Sequence, residues 1–242
     1  MESSSFYSFL IPNLKDVIGW QDIKIIENNE PMVDILKYNN PKIVFSKYYF
    51  NMGLFGAIDH CLIREAVASK LNQIAQRLPN GYKLFIFDCF RPIQCHRSLY
   101  ESLKVRVAKD QGLKDDSDII KYLSTFATPG FTNPLYPSPH FTGGAVDLTI
   151  VDNFGNALNM GTEFDDLTEK AYTEFYEIKL QKTKKLDYLE NSILMNRRFL
   201  YNLMCEENFS NYKYEWWHYD FGNQFWAKIN ETTAQYSIIY FD

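Results

Sequence analysis

Apolar residues recur at helical spacing from Ala57 to Leu78, at Ile58, Leu62, Ala66, Leu71, Ile74 and Leu78. That period predicts an amphipathic helix over 57–78, stopped by Pro79-Asn80-Gly81. Leu84-Phe85-Ile86-Phe87 is an uninterrupted apolar run and reads as a buried strand entering Asp88-Cys89-Phe90-Arg91-Pro92. Arg91 precedes a proline and is biased toward extended backbone, and Pro92 suits the start of a helix over 93–109. A weaker helical pattern covers 115–126, and the proline-rich stretch 128–139 is a loop. From Ala145 to Ile150 the pattern alternates: Ala145, Asp147 and Thr149 face one way, Val146, Leu148 and Ile150 the other, predicting a strand with one apolar face. Asp152-Asn153-Phe154-Gly155-Asn156 is a turn. Residues 188–205 form a helix with Leu189, Ile193, Leu200 and Leu203 toward the core, and 212–221 reads as an aromatic strand. Residues before Tyr49 are irregular, with a short strand at Lys42-Ile43-Val44-Phe45. Helices and strands are segregated rather than strictly alternating, which predicts an α+β chain with a central, mostly antiparallel sheet flanked by helices. The 242 residues fit one domain, 1–242, whose first fifty or so residues are peripheral.

Composition narrows the partners. Nineteen Phe and seventeen Tyr suit strands and a walled cleft. The net charge is −5 with no basic block, which excludes a nucleic-acid partner. The densest basic run, Lys179 to Lys185, is a solvated helix end or loop. No apolar stretch is long enough to span a bilayer. Met1-Glu2-Ser3-Ser4-Ser5 has no basic region before an apolar run, so the expectation is a cytoplasmic chain. The four cysteines, Cys61, Cys89, Cys95 and Cys205, form no C-x-x-C pair and read as reduced buried thiols, although Cys89 and Cys95 fall near the candidate site.

The chemistry concentrates in Ser138-Pro139-His140-Phe141-Thr142-Gly143-Gly144-Ala145-Val146-Asp147 and Glu215-Trp216-Trp217-His218-Tyr219-Asp220. Two of the chain's four histidines lie here. Two imidazoles and a carboxylate offer three ligands and leave a fourth position open, the make-up of a catalytic zinc site. A spare glutamate beside it is the usual base for a zinc-bound water. Gly143-Gly144 permits a sharp turn or a close approach. Glu215 and His218 would point to opposite faces of a regular strand, so a shared site demands a bulge or bend near Trp216-Trp217. Trp216 and Trp217 read as cleft wall and core. Arg91 is open to two readings, an ion pair with Asp88 or a cation that stabilises a developing oxyanion.

These residues resemble a known signature. Ser138-x-His140-x-x-Gly143-x-Ala145-x-Asp147 followed by Glu215-x-Trp217-His218 is similar to the VanX-type D-alanyl-D-alanine dipeptidases, zinc D,D-peptidases that share a fold with the hedgehog signalling domain. Asp88-x-x-Arg91-Pro92, Met160-Gly161-x-x-Phe164-Asp165 and Asn196-Arg197-Arg198 extend the likeness, which runs from about Met52 to Trp226. The resemblance implies one zinc ion per chain on His140, Asp147 and His218, Glu215 as catalytic base and Arg91 as the group that steadies the tetrahedral intermediate. It also implies that Asp165 holds the free ammonium of a small dipeptide substrate and that Ser138 contacts that substrate. Cys89 and Phe90 stand where the best-known members have Gly and Tyr, and Pro139 where Ser is common. A D,D-carboxypeptidase acting on longer cell-wall peptides is the first alternative, and a hedgehog-like module with a non-catalytic zinc the second. The carboxylate at Asp165 favours the dipeptidase, and the pairing of Glu215 with Arg91 argues against pure binding.

Overall fold

A computed structural model describes residues 6–124 and 126–240. The N-terminal stretch read for a leader, Met1 to Ser5, lies outside the described residues. The strands are β1 Met32–Asp34, β2 Ile43–Phe45, β3 Leu62–Arg64, β4 Lys83–Asp88, β5 Ala145–Val151, β6 Ser210–Asn211 and β7 His218–Asp220. The α-helices are α1 Tyr48–Asn51, α2 Glu65–Arg77, α3 Ile93–Gln111, α4 Asp116–Leu123, α5 Phe175–Thr183, α6 Tyr188–Glu206 and α7 Gln224–Ile229. Five strands form one sheet in the order β2-β4-β5-β7-β6, and β1 pairs with β3 in a separate two-stranded ribbon. Only the β2–β4 pairing in the five-stranded sheet is parallel, so the α+β, mostly antiparallel expectation holds.

The sheet's centre is β5, and every one of its seven residues is buried. The expected strand is therefore present, but it has no polar face toward solvent. β4 and β7 flank it on both edges, and other elements cover both of its faces, so Asp147 and Thr149 sit inside the protein at 2% and 1% exposure.

Two helices differ from the pattern in instructive ways. The helix expected from Ala57 begins only at Glu65. Backbone groups just before it are taken by distant partners: Arg64 N–H bonds Gly143 O, Phe90 N–H bonds Leu62 O, and Ile35 N–H bonds Cys61 O. Those bonds draw 62–64 into β3 despite the helical spacing. Val67, Ala68, Leu71, Ile74 and Ala75 then bury the apolar face of α2. α6 starts at a capping box, with Asp187 accepting from Glu190 N–H and the Glu190 carboxylate accepting from Asp187 N–H. Ile193, Leu200 and Leu203 face the core as expected, but Leu189, in the first turn, is 57% exposed.

The expected strand over 212–221 shrinks to β7. Glu215 N–H bonds Tyr212 O and His218 N–H bonds Glu215 O, so 212–217 is a pair of turns. α3 and α4 match their predicted positions, with Pro92 before α3 and the Asp115 carboxylate capping α4 through Ser117 N–H. The basic run from Lys179 lies at the end of α5, where Lys184 in the left-handed region closes the helix. Among the described residues no helix is long and apolar enough to cross a membrane.

Candidate active site

The sheet register brings the ligands together. Asp147 of β5 lies directly opposite His218 of β7, so their side chains project from neighbouring strands on one face. An irregularity in β4 between Ile86 and Asp88 places Asp88 opposite Asp147 as well. His140 arrives from a single 3-10 turn, Pro139–Thr142, that ends at Gly143. Gly143 has φ +70°, and a Cβ there would meet Met32 Sδ at 2.4 Å; one on Gly144 would meet Phe221 O at 2.5 Å. The two glycines thus allow both the turn and the close approach that deliver His140 to β5.

The proton placements follow from the partners. His140 Nδ1 donates to Cys89 O at 2.6 Å, which leaves a lone pair on Nε2. His218 Nε2 donates to Asp220 Oδ1 at 3.1 Å, which leaves Nδ1 free as an acceptor in the neutral ring. Those two lone-pair nitrogens stand 3.2 Å apart. Asp147 Oδ1 is 2.9 Å from His218 Nδ1, and Asp147 Oδ2 is 3.3 Å from His140 Nε2. Three acceptors converge with no proton to share among neutral rings, which calls for a cation. Tetrahedral coordination at about 2.0–2.1 Å sets ligand atoms roughly 3.3–3.4 Å apart, close to the spacing here. His140, Asp147 and His218 therefore form a group able to hold a metal ion.

The electrostatics agree. Burial pushes the Asp147 carboxyl up, but His140 and His218 outweigh it and hold the group well below the usual range. Burial opposes charge on His218, yet Asp220 and Asp147 raise the ring well above an ordinary imidazole. The position draws positive charge, as a proton or a metal. Asp220 is itself fixed by Asn223 Nδ2 at 2.6 Å, so the ring is oriented from behind.

Glu215 stands beside this centre, with Oε2 3.8 Å from His218 Nδ1. The required bend is the double turn 212–217. It is clipped by Asn211 of β6, whose Nδ2 donates to Glu215 O at 3.1 Å and His218 O at 2.9 Å. Burial is the main cause raising the Glu215 carboxyl to about 8; Asp147 and Asp165 add to it, while His218 and Arg91 oppose it.

Arg91 makes the ion pair of its first reading and also reaches the ligand group. Its Nε donates to Asp88 Oδ2 at 2.7 Å, its NH2 reaches Asp147 Oδ2 at 3.4 Å, and its guanidinium lies 5.0 Å above the Tyr49 ring. His96 Nε2 donates to Thr128 O at 2.9 Å, so Nδ1 accepts from Arg91 NH1 at 3.3 Å. Burial, then the charge of Arg91, pushes His96 down to about 3, so it holds the guanidinium without adding charge.

Asp165 lines the same cavity. Phe164 stacks on Phe87 at 4.4 Å and meets the edge of Trp217. Arg197 holds the segment by donating to Met160 O, Tyr172 O and Lys170 O, and Asn196 donates to Asn159 O. These bonds explain why the motifs at 160–165 and 196–198 occur together. Arg198 instead pairs with buried Glu177. Asp165 has φ +60° and accepts from Tyr49 Oη at 2.9 Å. Burial, with a smaller contribution from Asp147, raises it to about 6 against the opposing charge of Arg91. Ser138 is 5% exposed, and its Oγ accepts from Phe131 N–H.

All seven residues singled out in the sequence line one cavity of about 160 Å³. Trp217 is in its wall and Trp216 in the core. The Cys89 thiol turns away from the ligand group, to Cys61 Sγ at 3.1 Å, and Cys95 is buried. Asp220, His96 and Tyr49 were missed. Asp220 carries a signal, since alternation puts it on the same strand face as His218; the other two have no local one.

The fold and this cluster define a metallopeptidase-type site. Residues 46–238 match the family described as D-ala-D-ala dipeptidase, peptidase M15, and the chain belongs to that metallopeptidase family. It is similar to the D-alanyl-D-alanine dipeptidases of Synechocystis (27% identical, covering 69% of this chain and 71% of that one) and of Escherichia coli (26%, 66% and 66%). That of Enterococcus faecalis is 32% identical over 57% of this chain and 62% of its own length. The chain thus spans about two thirds of these relatives' lengths.

Proposed function

We propose that this chain is a zinc-dependent dipeptidase that hydrolyses D-alanyl-D-alanine to D-alanine. The convergence of three candidate ligand atoms, on His140, Asp147 and His218, carries the reading. Two nitrogens and one carboxylate oxygen suit zinc. When bound, zinc polarises the scissile carbonyl and lowers the pKa of a water to near neutrality.

The remaining steps belong to the chain. Asp165, which lines the cavity together with Arg91, takes the substrate's ammonium through a charge-assisted hydrogen bond. Ser138 uses its oxygen as an acceptor within the protein, which leaves its own proton to donate to the substrate. Glu215 removes the proton from the attacking water and returns it to the leaving amine. Arg91, held by Asp88 and His96, faces the oxygen on which negative charge develops. A zinc-binding module without catalysis would need neither Glu215 nor Arg91.

The test is Glu215→Ala, followed by release of D-alanine and by metal content. Because Glu215 is not among the ligands, the variant keeps one zinc per chain and loses roughly 10²–10⁴-fold in turnover, the range for a lost general base. Loss of the metal would instead make Glu215 a ligand, and unchanged turnover would remove it from the chemistry.

A further inference from the structure

The cleft wall between Arg91 and Asp165 is built by one face of α3. His96, Leu99, Tyr100 and Leu103 all line the cavity, spaced three and four residues apart as one helical face requires. Both ends of that face are tied to the site. At one end His96 contacts Arg91. At the other, Arg106, one turn past Leu103, donates to Asp165 O. From His96 to Arg106 the helix rises about 15 Å at 1.5 Å per residue. Between those anchors the α3 residues that line the cavity carry no charge, and Asp166, beside Leu167, is a further charged residue in the lining.

Other segments complete this surface. Phe126 and Ala127 follow α4, Leu167 follows the Asp165 segment, and all three are half-buried cavity residues. Tyr122 Oη donates to Leu167 O at 3.3 Å, so α4 is docked on the same segment. The apolar surface is therefore a built part of the cleft, tied to the ammonium-binding side.

We infer that Leu99, Tyr100, Leu103, Phe126, Ala127 and Leu167 form a subsite for the side chain of the substrate's N-terminal residue. The inference rests on the dipeptidase reading. If the ammonium is at Asp165 and the scissile carbonyl at the metal and Arg91, the α-carbon between them belongs to that residue. Its side chain is the part of the substrate presented to the α3 wall. An alanine methyl covers little of such a surface and leaves the rest wet. The substrate class is accordingly D-dipeptides with an aliphatic or thioether first residue larger than alanine, alongside D-Ala-D-Ala.

The test compares kcat/KM of the zinc-loaded enzyme on D-Ala-D-Ala, D-Leu-D-Ala and D-Met-D-Ala. Each additional buried methylene contributes up to roughly fourfold, so D-Leu-D-Ala should equal or exceed D-Ala-D-Ala. Leu103→Phe and Ala127→Phe, which fill the subsite, should each lower the D-Leu-D-Ala to D-Ala-D-Ala ratio by at least about tenfold. Cleavage of D-Ala-D-Ala with D-Leu-D-Ala more than tenfold worse would overturn the subsite and leave the dipeptidase reading standing. A ratio unmoved in both folded variants would place the side chain elsewhere and also overturn it. Cleavage of neither dipeptide would remove the dipeptidase reading itself.

Discussion

Blocking the substrate's amino group is the sharpest test of how the cleft chooses its substrate. Asp165 is a half-buried carboxylate, with Tyr49 Oη as a hydrogen-bond donor and a titration point raised from 3.8 to about 6. At 1.36 kcal/mol per pH unit, burial and neighbouring charge disfavour its ionised form by about 3 kcal/mol. A bound ammonium offsets that cost, because it brings the opposite charge to the carboxylate. An N-acetyl group brings a neutral amide and leaves the charge uncompensated. A hydrogen bond to a charged group contributes about 1.5–3 kcal/mol, so N-acetyl-D-Ala-D-Ala should be cleaved roughly 10–10²-fold more slowly than D-Ala-D-Ala. Asp165→Asn removes the charge and should bring the two substrates within about tenfold, with the dipeptide losing most of the difference. Steady-state kinetics on both substrates and both proteins measure this, with zinc content and melting temperature reporting that the fold is retained. Equal cleavage of free and acetylated dipeptide by the wild-type enzyme would refute the reasoning and favour a carboxypeptidase acting on longer peptides.

Arg91→Ala should lower kcat by roughly 10²–10³-fold with little change in KM, as for a removed oxyanion donor; unchanged turnover would leave only its ion pair with Asp88. Asp220→Asn removes the charge behind His218 and should weaken zinc binding by about 10–100-fold in a chelator competition, and unaltered affinity would contradict the orienting role. The acid limb of kcat/KM for the free dipeptide should include a group near pH 6, because falling pH protonates Asp165 and removes the ammonium's partner, and Asp165→Asn should lack that contribution. Stability has the corresponding sign: the folded carboxyl holds its proton more tightly than the unfolded one, so wild type loses stability as pH rises from about 4 to 6. The melting temperature of Asp165→Asn should gain on wild type over that interval, and parallel curves would show that Asp165 titrates normally.

Much of the site was legible because it is a matter of residue type and local spacing. His140, the glycine pair, Asp147 and the Glu215–His218 pair suggest a set of metal donors and a spare base, and the fold brings these side chains to one cavity. The need for a bend before His218 also followed from strand alternation alone, and the double turn 212–217 meets it. The misreadings share another origin. Helical spacing over 57–64 lost to hydrogen bonds with Gly143 O and with the N–H groups of Phe90 and Ile35. The polar face expected of β5 disappeared because strands on both edges and packing on both faces bury it.

The amino-acid sequence by itself determined the kind of chemistry and the main helices, since donor identity, caps and apolar period are properties of neighbouring residues. Only the tertiary structure decided that Asp147 pairs with His218, that Asp220 and Cys89 O select which nitrogens face inward, and that α3 walls the cleft from Arg91 to Asp165. Those features depend on strand register and on contacts between segments far apart in the chain, where a shift of one residue would turn every strand side chain to the opposite face.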